Sequence, residues 1–218
     1  MNIQMKKLHP LLYALFMITV AISQNKVNVN NLVKHEGRYY KKNEYVPYDG
    51  IIFDISEETG NKTLQFRIID GFKNGSYEEW YSNGKPKIVG KYFNDDSTDS
   101  WTEWYENGMK GGEGTYKNNN RDGLFYRWHK KGQKKFEGAY KNGKKDGTWI
   151  QWYENRQKKF IISYKNNQLN GKYLYWYENG QKKIDGIYKN GKKDGTWVQW
   201  YENGQKEIES FFQYGRED

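Results

Sequence analysis

Six tryptophans, Trp80, Trp104, Trp128, Trp152, Trp176 and Trp200, stand 24 residues apart. A second column keeps the same step and is aromatic throughout: Tyr77, Trp101, Phe125, Trp149, Tyr173 and Trp197. A third runs Tyr92, Tyr116, Tyr140, Tyr164, Tyr188 and Phe212, and a fourth Gly75, Gly123, Gly147, Gly171 and Gly195, with Asp99 as its exception. All nine tryptophans belong to the first two columns. A fixed period of this kind marks a repeat array, in which each unit covers its apolar side chains against its neighbours in sequence. Composition agrees. Apolar residues make up 35% of the chain and aromatics 18%, so about half the apolar set is aromatic and no core of aliphatic layers is expected. Residues of this type favour strands.

Within one unit the pattern is strand, tight turn, strand, looser turn. Gly171 to Glu178 is aromatic and β-prone, Asn179-Gly180 is a strong two-residue hairpin signal, and Gln181 to Tyr188 returns. A four-residue turn, Asn190 to Lys193, then leads to Asp194-Gly195 and the next copy. No stretch has helical periodicity. The expected fold is all-β, an elongated open antiparallel meander of stacked β-hairpin repeats of about 24 residues.

An even period puts each column on one side of the sheet in every copy. Pairing Glu178 with Gln181 sets Tyr173 opposite Gly186 and Gly171 opposite Tyr188. The four-residue turn sets Tyr188 opposite Gly195 and Gly186 opposite Trp197. Aromatic rings then lie over the bare backbone of strand glycines, which gives Gly147, Gly171 and Gly195 and the Tyr77 to Trp197 column a structural role. The packed face is expected to carry Gly171, Tyr173, Tyr177, Ile184, Gly186 and Tyr188. The other, semi-exposed face carries Leu174, Trp176, Lys183 and Ile187, so the Trp column lies beside a lysine column of Lys87, Lys135, Lys159 and Lys183, with Gly111 and Glu207 departing. At about 4.8 Å between strands, six copies make a ribbon on the order of 60 Å long.

The ends read differently. Lys6 and Lys7 precede an apolar run from Leu11 to Ile22, and Ala21-Ile22-Ser23 offers small residues for cleavage. Residues 1–23 are therefore expected to be a signal peptide, cut after Ser23, with an uncleaved anchor as the alternative, and the chain exported to the periplasm or beyond. Export argues against nucleic acid as a partner. Absence of cysteine excludes disulfides, a lipid anchor on cysteine, and cysteine-based metal or nucleophile chemistry. Removing the two leader lysines leaves 34 basic and 27 acidic residues, or +7, which suits an anionic envelope polymer or an acidic protein. Residues 24–74 read as degenerate repeats and an N-terminal cap, and 75–218 as six repeats.

The unit DGxWxxWYENGxKxxxGxYKNGKK resembles the bacterial variant of the MORN repeat (membrane occupation and recognition nexus). Its matches are Gly147, Trp149, Trp152 and Tyr153, then Gly171, Tyr173, Trp176, Tyr177, Gly180, Gly186 and Tyr188, and finally Gly195, Trp197, Trp200, Tyr201 and Gly204. Departures are Arg156 for the turn glycine and Ile162 for the strand glycine. The resemblance implies β-hairpins stacked into an elongated sheet. It also implies the antitoxin component of a toxin–antitoxin pair, a role at odds with a signal peptide.

Catalysis has little to stand on. Beyond the leader only His35 and His129 remain, and His129 fills a column that is tyrosine in the other five copies. Glu106, Glu154, Glu178 and Glu202 recur at turns, whereas an acid–base pair needs one site unlike its copies. The Asp-Gly pairs lack the clustered ligands of a calcium loop, and no helix follows the glycines to cradle a phosphate. No catalytic residue, metal ligand or small-molecule cofactor is expected. The candidate binding face is Trp80, Trp104, Trp128, Trp152, Trp176 and Trp200 with Lys135, Lys159 and Lys183. Such a face can stack on sugars, cover a partner's apolar surface, or simply rest under its own lysine stems. Three readings follow: a non-enzymatic scaffold binding a protein or envelope surface, a cell-wall or carbohydrate binder, and an antitoxin-like neutraliser. The sequence leaves the oligomeric state open.

Overall fold

The computed structural model describes residues 25–217; the expected signal peptide and its cleavage site lie outside them. Three short strands come first, β1 (Lys26–Asn28), β2 (Leu32–His35) and β3 (Arg38–Lys41). Then come β4 (Gly50–Ile55), β5 (Lys62–Ile69), β6 (Phe72–Trp80), β7 (Pro86–Phe93), β8 (Asp96–Trp104) and β9 (Lys110–Lys117). They continue as β10 (Asn120–Trp128), β11 (Lys134–Lys141), β12 (Lys144–Trp152), β13 (Lys158–Lys165) and β14 (Gln168–Trp176). The last are β15 (Lys182–Lys189), β16 (Lys192–Trp200), β17 (Lys206–Gln213) and β18 (Arg216–Glu217). From β4 to β18 each strand pairs antiparallel with the next, β1 adds parallel to β4, and the result is one sheet of 16 strands. A three-residue 3₁₀ turn is the only helical element among the described residues. The all-β open meander expected from the period is the fold.

Both turns depart from their expected lengths, the first being longer and the second shorter. Tyr177 to Gln181 is a five-residue connection, closed by Gly180 N–H donating to the Tyr177 carbonyl at 3.0 Å and Tyr177 N–H to the Gln181 carbonyl at 2.8 Å. Of the Asn179-Gly180 pair only Gly180 has positive φ, at 88°, so the type I′ loop expected there does not form. Asn190-Gly191 makes it instead, with φ of 51° and 78° between the paired Lys189 and Lys192. Two bulges absorb the difference. Trp176 pairs with Lys182 but Tyr175 with Ile184, which leaves Lys183 as an extra residue. Ile187 pairs with Asp194 but Asp185 with Val198, and Gly195 sits in that second bulge at φ 71°.

The bulges compensate, so the expected central register survives. Gly171 pairs with Tyr188 and Tyr173 with Gly186, while a Cβ at Gly186 would overlap the Trp197 indole. Tyr188, by contrast, pairs with Lys193 and not with Gly195. The two glycine columns thus do different work. Gly90, Gly114, Gly138 and Gly186 are beds for Trp101, Phe125, Trp149 and Trp197. Gly147, Gly171 and Gly195 hold left-handed bulge conformations, and no ring lies over Gly147 or Gly195. That explains the exception, because Asp99 takes φ 57° in the same place, and aspartate tolerates it better than most residues.

On the packed face Phe125, Trp149, Ile162 and Trp197 are at most 5% exposed, although no second sheet covers them among the described residues. They shield one another. Tyr188 meets Trp197 edge to face at 5.0 Å, Tyr173 lies 5.4 Å from Trp197, and Tyr140 meets Trp149 at 4.9 Å. Pairs of this geometry contribute about 0.5–1.5 kcal/mol beyond their area. At the N-terminal end Tyr48, Ile52, Phe66 and Ile68 form a more aliphatic cluster, flanked by Val27, Leu32 and Tyr39. The β2–β3 hairpin forms a separate two-stranded sheet there.

Candidate binding face

The Trp80 to Trp200 column is half-buried in all six copies. The lysines over its rings are not those the simple register selects. Lys62 stands 4.6 Å from the Trp80 ring, Lys110 5.4 Å from Trp128, Lys134 5.4 Å from Trp152 and Lys182 5.5 Å from Trp200. The bulge at Lys183 shifts the neighbouring column by one residue. Lys183 therefore covers Tyr177 at 5.1 Å and Lys159 covers Tyr153 at 5.3 Å, while exposed Lys135 lies in a hollow with Tyr105 and His129. Tyr177 accordingly leaves the packed face, where the even period placed it, for the turn edge.

Lysines of the Trp face are also neutralised from their own strands. Lys110 pairs with Glu113 at 2.9 Å, Lys134 with Glu137 at 2.7 Å, Lys182 with Asp185 at 2.7 Å, and Lys206 with Glu209. A cross-strand row joins these acids: Glu113, Tyr126, Glu137, Ile150, Ile161, Leu174, Asp185, Val198 and Glu209 are successive partners. In the fourth copy the acid is replaced by Ile161, which leaves Lys158 without the pairing its counterparts have. Ile150, Ile161 and Leu174 thereby form an uncharged, half-buried strip with Trp152 and Trp176 at its side.

The packed face carries a second cation column that the sequence reading missed. Lys73 lies 4.8–5.2 Å from Phe66, Tyr77 and Tyr92, and Arg121 4.4–5.2 Å from Phe125 and Tyr140. Lys145 covers Trp149 and Tyr164 at 4.6 and 5.0 Å, and Lys193 covers Trp197 and Phe212 at 4.7 and 4.5 Å. These four share the 24-residue phase, with Ser97 and Leu169 interrupting it, so the signal was readable in the columns. Burial under the rings holds the Lys73 ammonium below its ordinary pKa. Burial likewise raises the Tyr77 hydroxyl, which also donates to Glu79.

One long edge of the sheet is a row of stapled turns. Tyr81, Tyr105, Tyr153 and Tyr177 each donate a hydroxyl to the tryptophan carbonyl of the following copy, at 2.7–2.9 Å. His129 stands in for tyrosine, with Nε2 at 3.4 Å from the Trp152 carbonyl, as its column implied. Asn107, Asn155 and Asn179 add side-chain amide bonds to the next turn at 2.7–2.9 Å. On the opposite edge the Asp122 and Asp146 carboxylates accept the N–H groups of Asn142 and Asn166. Those aspartates are turn spacers. No group of three or more His, Asp or Glu side chains that could hold a metal occurs among the described residues.

What this geometry offers is contact surface. No curated protein matches the chain. Four of its segments, residues 73–94, 145–166, 169–190 and 193–214, match the MORN repeat variant, each covering one hairpin and ending at the first residue of the tight turn after it.

Proposed function

We propose that this chain is a non-enzymatic repeat scaffold, exported from the cell, that docks a protein or envelope surface through its Trp-bearing face. The observation that carries the reading is the strip of Ile150, Ile161 and Leu174 beside Trp152 and Trp176. In four of the six copies an acid at this position pairs with the lysine three residues before it, and in the first copy Val89 takes the place but lies between the polar row partners Glu78 and Thr102. Here the acid is missing, so the surface can dry against a partner without stranding a carboxylate.

The test is Ile161→Glu, which restores the residue type of the equivalent positions Glu113, Glu137, Asp185 and Glu209 and so leaves the fold intact. Retention of the chain on isolated cell envelopes is expected to fall sharply in the variant at unchanged circular dichroism. Unchanged retention would reject the strip as the docking surface. Recovery of a mature chain beginning at Gln24 checks export separately.

A further inference from the structure

Along the stapled edge the turn sequence is nearly invariant: Tyr105-Glu-Asn-Gly, Tyr177-Glu-Asn-Gly, Tyr201-Glu-Asn-Gly. Ser82 replaces the glutamate in the first copy, and the larger departures fall at one pair of neighbouring turns. Residues 129–135 read HKKGQKK and residues 153–159 read YENRQKK. The first holds four lysines and the second one arginine and two lysines, seven cations against the single acid Glu154. The two turns at 177–183 and 201–207 hold three cations and three acids. The turns at 81–87 and 105–111 together hold three cations and one acid, so the excess of positive charge on this edge is greatest at 129–135 and 153–159.

Three details at that point depart from the other copies in the same place. Arg156 stands at φ 73° where the other five copies have glycine, a left-handed conformation that L side chains rarely adopt. Lys131 replaces the asparagine whose amide staples neighbouring turns in other copies. In the two later turns a Cβ at Gly180 or Gly204 would come 3.2–3.3 Å from the preceding turn's glutamine Oε1. Arg156 has such a Cβ, and the preceding glutamine is Gln133. Its Oε1 is the one buried side-chain polar atom among the described residues without a hydrogen-bond partner. Strain, a lost staple and an orphaned acceptor converge on a cavity of about 420 Å³ lined by Lys131, Gly132, Gln133, Lys134, Trp152 and Arg156.

We infer that this cavity binds an acidic saccharide, a sugar ring carrying a carboxylate, phosphate or sulfate. Each part of such a ligand answers a feature of the site. The anion meets Lys131 and Arg156, whose planar guanidinium suits a two-oxygen group. A sugar hydroxyl supplies the proton that Gln133 Oε1 lacks, which a bare anion cannot. The apolar side of the ring has Trp152 to lie against. The site shares Trp152 with the Trp-bearing face, but Lys131 and Arg156 lie on the turn edge outside the Ile161 strip, so the two readings are tested by different substitutions.

The test compares the chain with a Lys131→Asn, Arg156→Gly variant, in which both positions take the residue of the other copies and the fold is preserved. Binding of oligogalacturonate and of heparin fragments is measured by calorimetry at fixed salt, with polyglutamate and inorganic phosphate as non-sugar anions. The expected result is that an acidic glycan binds more tightly than either non-sugar anion, and loses at least about tenfold in affinity in the variant. The inference is overturned if polyglutamate binds as well as both glycans, which would mean a charge patch alone. It is also overturned if the variant binds the glycans unchanged.

Discussion

Trp197 rests on Gly186, whose missing Cβ is the space the indole occupies. Gly186→Ala should therefore destabilise by about 1–3 kcal/mol, the usual cost of overpacking a well-filled site. In a Trp197→Ala background the same change should cost almost nothing, because the added methyl enters vacated space. Denaturant melts of the four proteins of this cycle check the coupling; additive losses would mean the glycine serves the backbone instead.

The two aromatic columns should separate in stability. Trp197 is 4% exposed among Tyr173, Tyr188 and Phe212, so Trp197→Ala should cost about 3–5 kcal/mol. Trp176 is half-buried on the other face, and Trp176→Ala should cost clearly less. Equal losses in urea would show that both faces are closed in solution.

Tyr177 and Tyr201 hold equivalent positions, but among the described residues only the Tyr177 hydroxyl donates to a tryptophan carbonyl, that of Trp200 at 2.8 Å. Tyr177→Phe should lose about 1 kcal/mol and Tyr201→Phe nothing measurable. Thermal melts of the two variants measure the inter-repeat staple directly.

Alkali should unfold the protein. Burial raises the pKa of Tyr77, Tyr92, Tyr175 and Tyr188 above the ordinary 10.0. The folded chain keeps these protons after the unfolded chain has released them, so their contribution is complete below about pH 10 and is lost above it. Lys73 acts in the opposite sense: burial lowers its pKa from 10.5, and it adds stability as pH rises toward that value. One lysine against several tyrosines leaves a net loss above pH 10. Phenolate absorbance and loss of β-sheet circular dichroism should appear together in a pH titration.

Arg156→Gly removes a left-handed non-glycine residue and should stabilise by about 1 kcal/mol, measured as a raised denaturation midpoint. A loss of stability would show that the arginine serves the fold rather than a ligand.

Sequence by itself determined the strands, their meander and the face on which the rings pack. Those follow from local alternation and an even period, which repeat with every copy and do not depend on distant contacts. The pairs Tyr173–Gly186 and Gly171–Tyr188 were legible for that reason. Which Asn-Gly makes the two-residue turn was not, because Asn179-Gly180 and Asn190-Gly191 satisfy the same local rule. The choice rests on bonds between copies, 23 residues apart: the Tyr177 hydroxyl to the Trp200 carbonyl and the Asn179 amide to the Glu202 carbonyl hold the first turn open to five residues. One bulge follows from that length, and with it Lys182 rather than Lys183 becomes the neighbour of the tryptophan column. A one-residue shift of this kind leaves no mark on hydrophobic pattern, so only the folded array decides which lysine covers which ring.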